Sequence, residues 1–284
     1  MKINDTKLSK VLFAALAAFL LPQSHVSADE NLFGYTYGAE TLPKGKMEVY
    51  TWQTFRIGKQ SGRYVGWDQK YEIEWGITDH LQASIYANFN GVDIDGVPGF
   101  EDRSDFGFLG TQFALKYNIL SPFKDPIGLS LYVEPGYVAR DRGTGEPMDA
   151  FELETMVILQ KNFLDDTLMW YTNIFGEFAW EKINGEYGRG WGPTIFSGLT
   201  YRVAPNWFVG LEGHWDADFE GFQANHFQHW DAFLGPVIHY GGKKWWATLS
   251  VQKNLASWPH TKGSSLNLDD HENFEVRLKL GFNF

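Results

Sequence analysis

The chain ends Asn273-Phe274-Glu275-Val276-Arg277-Leu278-Lys279-Leu280-Gly281-Phe282-Asn283-Phe284. Phe274, Val276, Leu278, Leu280, Phe282 and Phe284 fall on every second position, with polar residues or glycine between them. In an extended chain successive side chains point to opposite faces, so the stretch has one apolar face and one polar, charged face. The edge of a soluble sandwich would alternate in the same way. Large residues at each apolar step and an aromatic at the last position favour a strand whose apolar face meets lipid.

The same alternation recurs along the chain. It predicts strands over about 46–55, 67–75, 81–89, 109–117, 127–134, 151–160, 170–180, 195–201, 207–215, 233–240, 245–253 and 274–284. Leu109, Thr111, Phe113, Leu115 and Tyr117, for example, are expected on the outer face of the fourth strand. Connections after the even-numbered strands are short, as in Ile77-Thr78-Asp79-His80 and Ala204-Pro205-Asn206. The alternate ones, 91–103, 141–149, 216–228 and 256–270, read as longer polar loops. Short periplasmic turns and longer outer loops are the pattern of a membrane barrel, and an even strand count puts both termini in the periplasm.

Aromatic residues follow the same topology. Trp75, Tyr117, Trp170, Tyr201, Trp207, Tyr240, Trp245 and Phe284 lie near the short-turn ends. Trp67, Phe89, Tyr137, Phe151, Trp180, Trp191, Trp215 and Phe274 lie near the long-loop ends, giving two girdles. The expected fold is all-β: one antiparallel transmembrane β-barrel of about 12 strands over residues 46–284. Residues 29–45 form an extended lead-in, in the periplasm or in the barrel mouth.

Composition agrees. The chain carries 12 Trp, 13 Tyr and 23 Phe, more than a soluble core needs, and yet its mean hydropathy is that of a soluble protein; a barrel reconciles the two because only alternate residues meet lipid. Lys2, Lys7 and Lys10, an apolar run from Val11 to Leu21 and the small residues before Ala28 read as a secretory signal over residues 1–28. Removing that segment's three Lys and one Asp takes the net charge from −11 to −13, which argues against nucleic acid as a partner and leaves no basic tract for anionic lipid. With no cysteine, disulfides and thiolate metal ligands are excluded.

With this phasing the inner face is crowded with ionisable side chains. The candidate lumen-lining residues are Asp68, Lys70, Glu72, Glu74, Lys116, Glu134, Glu152, Glu154, Glu177, Arg202, Glu212, His214, Glu275, Arg277 and Lys279, with Glu48 beside them. Either these charges pair and fill the lumen, or they line a narrow aqueous path whose acidic excess favours cations and neutral solutes. His214, between Glu212 and Asp216, together with His226, His229 and Asp231 across the next loop, is read as rim polarity, since clustered imidazole and carboxylate bind metal only when the fold converges them. Asn90 to Gly96, followed by Glu101, Asp102 and Asp105, is acidic and glycine-bearing. Gly91 stands where the first carboxylate of a calcium loop belongs, so a solvated outer loop is expected, with divalent ions bridging it to lipopolysaccharide as an option. No catalytic residue, metal or cofactor is expected. Ser197 and Ser250 are the candidate nucleophiles for a lipid-hydrolase alternative, but neither has a sequence neighbourhood like the Asn-His-x-Ser signature of outer-membrane phospholipases.

The terminal strand resembles the C-terminal strand of Gram-negative outer-membrane barrels, whose final Phe and alternating apolar residues serve as an assembly signal. The resemblance implies outer-membrane lipid and lipopolysaccharide as surroundings and engagement of the barrel-assembly machinery through the strand ending in Phe284. The lead-in from Tyr35 to Gly45, then Lys46-Met47-Glu48 and the run from Glu72 to Asp79, resembles an uncharacterised family related to MetA-type phenol-degradation-pathway outer-membrane proteins. That resemblance implies the barrel fold and passage of hydrophobic or aromatic compounds, and no binding residue. The expected function is a narrow channel or transporter for small neutral, cationic or hydrophobic solutes. The alternatives are a non-conducting barrel acting through its outer loops and, more distantly, an outer-membrane lipid hydrolase.

Overall fold

A computed structural model describes residues 31–183 and 185–284. The expected signal peptide, with Asp29 and Glu30, lies outside the described residues. Twelve strands follow in chain order: β1 (Met47–Ile57), β2 (Arg63–Gly76), β3 (Leu81–Asp95), β4 (Arg103–Leu120), β5 (Gly128–Arg140), β6 (Pro147–Phe163), β7 (Leu168–Ile183), β8 (Glu186–Ala204), β9 (Trp207–Glu220), β10 (Phe227–Gly241), β11 (Trp245–Trp258) and β12 (Phe274–Asn283). Each pairs antiparallel with its sequence neighbours. β12 closes on β1, from Glu48 opposite Asn283 to Ile57 opposite Phe274. Closure leaves no edge strand with unpaired backbone groups, the condition for spanning lipid with strands.

The outer face is apolar. Ile73, Ile85, Leu131, Ile174, Ile195, Leu211 and Leu249 stand out from the wall at 40–55% exposure. A belt of this kind far exceeds the apolar patches that soluble monomers tolerate, and it fits the lipid-facing band of an outer-membrane barrel. Rings cap the belt at both ends. At the end bearing the termini, Tyr240 lies 5.0 Å from Trp207 and 4.6 Å from Trp245 between ring centres. At the opposite end Phe55 stacks on Trp67 and Trp191 on Phe219, at 5.8 and 4.8 Å. These are cross-strand neighbours in the register, so the girdles follow from strand pairing. The terminal end is periplasmic in barrels of this class, and the protein is an outer-membrane barrel.

Several local expectations change. The strands run well past the predicted limits, so 91–95 belongs to β3, 147–149 to β6, and 216–220 to β9. The expected sorting into short turns and long loops largely disappears, with β7 ending at Ile183 and β8 already under way at Glu186. Only 259–273 is a long connection among the described residues. The acidic stretch from Asn90 is therefore mostly strand: Asn90 is buried and donates to Asp68 at 2.8 Å. Leu109 faces inward, because the register slips where Asn88 pairs with Gly110 and Phe89 with Phe108, leaving Leu109 as a bulge. It packs with Val138 and Ala150.

Residues 31–42 enter the lumen, and Pro43 to Gly45 are exposed beside the β2–β3 turn. Leu32, Phe33 and Ala39 are fully buried. Phe33 and Leu32 pack among Met169, Tyr171, Phe208 and Val237, and Ala39 among Tyr86, Tyr132, Met156 and Ile158. The inward side of the terminal half thus combines apolar clusters with buried polar side chains around a segment that belongs to no strand.

Because the outer face meets lipid, Leu211→Arg, near mid-height on β9, is expected to cost about 2–4 kcal/mol of unfolding free energy. Trp245→Arg, in the terminal girdle, is expected to cost about 0–1 kcal/mol. Urea unfolding in lipid vesicles measures both.

Candidate functional site

The lead-in has no ladder to satisfy its backbone, so inward side chains do it instead. Glu212 accepts from the amides of Gly34 and Tyr35 at 2.7 and 3.0 Å. Asn173 accepts from the Tyr37 amide at 2.6 Å and donates to the Tyr37 carbonyl at 2.9 Å. Gln160 accepts from the Ala39 amide and Gln82 from the Leu42 amide, at 2.8 and 2.7 Å. Asn118 and Ser130 both donate to the Ala39 carbonyl. At the other end Thr248 donates to the Asn31 carbonyl and Lys279 to its side chain, at 2.6 and 2.5 Å. The segment therefore crosses the lumen from β3–β6 to β9–β12 and plugs the terminal half.

Space remains on the opposite side of the plug. A cavity of about 420 Å³ is lined by Trp52, Asp68, Lys70, Leu109, Gln112, Arg140, Arg142, Met148, Glu152, Glu154, Glu177, Glu181, Asp218 and Arg277, among others. One wall is acidic. Glu134, Glu154 and Glu177 sit directly opposite one another on β5, β6 and β7, an arrangement of like charges that costs stability unless compensated. Carboxylate oxygens of Glu152, Glu154 and Glu177 approach within 4.8 Å of one another. From the facing side Lys70 on β2 reaches across to Glu134 at 3.2 Å, with Arg277 on β12 beside it, and Arg140 and Arg142 line the space from the end of β5 and the loop after it. Trp52, Leu109, Val138 and Met148 add an apolar strip.

All fifteen predicted lumen residues lie on strand positions that alternate with the lipid-facing ones, but they do different things. Asp68, Lys70, Glu152, Glu154, Glu177 and Arg277 border the cavity. Arg277 also bonds Thr54 at 2.8 Å and lies 3.6 Å over the Tyr35 ring, joining cavity floor to plug. Glu212, Lys279 and Lys116 hold the lead-in, the last through the Gly38 carbonyl at 3.4 Å. Glu72 and Glu74 are buried below, with Tyr50 donating to Glu74 at 2.7 Å, and Glu48 accepts from Trp246. Arg202 bonds the Asp166 carbonyl at 2.6 Å. Glu275 is opposite Arg56 and Gln252 in the register. His214 stacks on Phe233 at 4.8 Å. The neutral anchors Gln82, Asn118, Ser130, Gln160 and Asn173 are not among the candidate residues of the sequence reading. Their one signal is an amide or hydroxyl at an inward position.

The open mouth is tied by a second network. Arg56 meets Asp68 at 3.1 Å and Glu272 at 2.9 Å, Lys59 meets Glu272 at 3.8 Å, and Arg142 meets Asp68 at 2.8 Å. Tyr64 donates to the Gly143 carbonyl at 3.0 Å. Loops 141–146 and 259–273 are thereby drawn inward. Burial would raise the Glu272 carboxyl, but the charges of Arg56 and Lys59 outweigh it and hold it below its ordinary value.

Two outcomes are expected. Glu212→Ala frees the amides of Gly34 and Tyr35, so hydrogen exchange across 32–37 rises at least about tenfold, while exchange in β3 and β6 is unchanged. For Glu272 the folded value is depressed. Its contribution is complete above the unfolded glutamate value of about 4.3 and is lost as pH falls through the lower folded value. Protease cleavage within 259–273 therefore increases on acidification below about pH 4, and Glu272→Gln shows that sensitivity already at neutral pH.

The fold has solved counterparts. The COG4313 outer membrane channel from Pseudomonas putida F1 superposes with a TM-score of 0.59 at 15% identity, covering 87% of this chain and 98% of that one. The β domain of the Bordetella autotransporter BrkA gives 0.51 at 12% identity over 85% and 100%, and the NanC porin 0.50 at 12% over 83% and 100%. No curated protein matches the sequence. Over residues 25–284 the sequence matches a family of unknown function, DUF6662, and the chain belongs to that family.

Proposed function

We propose that this barrel is an outer-membrane passage for small solutes, entered from the mouth opposite the termini and controlled by the lead-in that plugs the terminal half. The cavity of about 420 Å³, lined by both acidic and basic side chains, carries the reading. Opposed charges across a narrow aqueous space orient polar solutes and strip part of their hydration, as charged rims do in selective pores. Glu152, Glu154, Glu177, Glu181 and Asp218 set the preference toward neutral and cationic solutes. Hydrophobic or aromatic compounds are the second class. The strip of Trp52, Leu109, Val138 and Met148 supports it, as does the sequence resemblance to phenol-pathway barrels.

Passage requires the segment 31–43 to leave, because Phe33, Tyr37 and Ala39 occupy the space beneath. We further infer no hydrolytic role. Ser197 bonds Thr172 at 2.9 Å on the lipid-facing side, and Ser250 is fully buried beside Gly34.

Planar-bilayer recording tests the proposal. The intact chain should give small or rare openings, and deletion of 31–43 should give larger and steadier ones. Glu152→Lys combined with Glu177→Lys should turn cation preference toward anions. A folded deletion variant that passes no current would reject the channel in favour of a non-conducting barrel acting at the cell surface.

A further inference from the structure

On the inward face of β9 and β10 the register stacks three pairs: Asp218 opposite His229, Asp216 opposite Asp231, and His214 opposite Phe233. Two aspartates directly across a ladder repel, and His214 and His271 lie beside them. His214 Nε2 stands 3.5 Å from Asp216 Oδ1. One ligand atom each from His214, Asp216 and Asp231 lies within 4.8 Å of the others. Ligands about 2.0–2.1 Å from a tetrahedral zinc stand roughly 3.3–3.4 Å apart, so the pair already has the spacing of an occupied centre.

Two independent observations point to a ligand. Asp231 is fully buried, and its Oδ1 receives no hydrogen bond. A buried carboxylate oxygen without a donor is costly unless a cation, or a proton shared with Asp216 opposite, supplies what the donor does not. The second is the orientation of His214. Its Nδ1 lies 3.0 Å from the Gln252 side-chain amide, which turns Nε2 toward Asp216. Metal-bound imidazoles are oriented by such a bond from the remote nitrogen. The remaining oxygen, Asp231 Oδ2, is met by His271 Nδ1. His271 Nε2 is in turn 2.9 Å from His229 Nδ1, and His229 is 3.4 Å from Asp218.

We propose that His214, Asp216 and Asp231 form a binding site for a first-row divalent transition-metal ion, with zinc the best match to one imidazole and two carboxylates. The site is on the lumen wall against the plug, since the His214 ring is 5.6 Å from that of Tyr35. It stands or falls independently of whether solutes pass.

The test uses the full folded barrel in detergent, stripped with chelator and titrated with zinc and, separately, magnesium, by calorimetry and metal analysis. Zinc is expected to bind at one ion per chain, and magnesium is not expected to compete. His214→Ala and Asp231→Asn should each weaken zinc binding at least about tenfold, and Gln252→Ala about 10–100-fold. His226→Ala, in the exposed 221–226 turn, should leave it unchanged. Heat-dependent gel mobility verifies folding, and if Asp231→Asn does not fold, Gln252→Ala and His214→Gln supply the same reading. Lack of stoichiometric zinc binding by the folded wild type overturns the proposal. So does binding that survives in folded His214 variants, or that is lost instead on Glu152→Gln, which would put the ion in the cavity.

Discussion

Backbone hydrogen bonding in a place without water governs this molecule. Each amide and carbonyl inside the membrane must find a partner, and the closed ladder from β1 round to β12 provides one for the wall. Once the wall is closed, side-chain direction is fixed by parity, so one face is committed to lipid and the other to whatever the lumen holds. The same requirement then applies to residues 31–43, which have no ladder. Glu212, Asn173, Gln160, Asn118 and Gln82 act as a dispersed substitute for a neighbouring strand. The polar residues that line the wall are thus partly structural, and this separates the inward charges into those that hold the plug and those that border free space.

Much of this was legible in the sequence because the period of two is unambiguous where the two solvents differ most. The terminal strand, with Glu275, Arg277 and Lys279 on one side and Phe274 to Phe284 on the other, fixed the phase, and the inward positions follow from it. What could not be read is anything dependent on distance across the lumen. Lys70 and Glu134 are on strands that do not touch, yet they bond. Strand ends were also misjudged. Beyond the apolar band no lipid enforces alternation, so 91–95 and 216–220 read as loops although the ladder continues through them. Leu109 stands on the face opposite to the one its parity predicts, because a bulge at Leu109–Gly110 moves parity by one.

The convergence of His214, Asp216, Asp231 and His271 illustrates the same limit from the other side. The first two are two positions apart on β9, and their spacing is visible by eye. Asp231 joins them through register, and His271 through a long connection folding back over the mouth. No local pattern encodes that meeting. A carboxyl pair facing inward on neighbouring strands is tolerated where a shared proton or a positive charge stands between, and His214 and His271 are the imidazoles placed beside this one.

The lead-in also has a mechanical meaning. A closed sheet resists stretching along its ladder, but it bends easily, so a cylinder of twelve strands flattens readily under lateral pressure from the bilayer. Anchored near β3–β6 at one end and β9–β12 at the other, residues 31–43 brace opposite sides of the wall against each other. Withdrawing the brace would free the wall to flex as well as empty the space beneath.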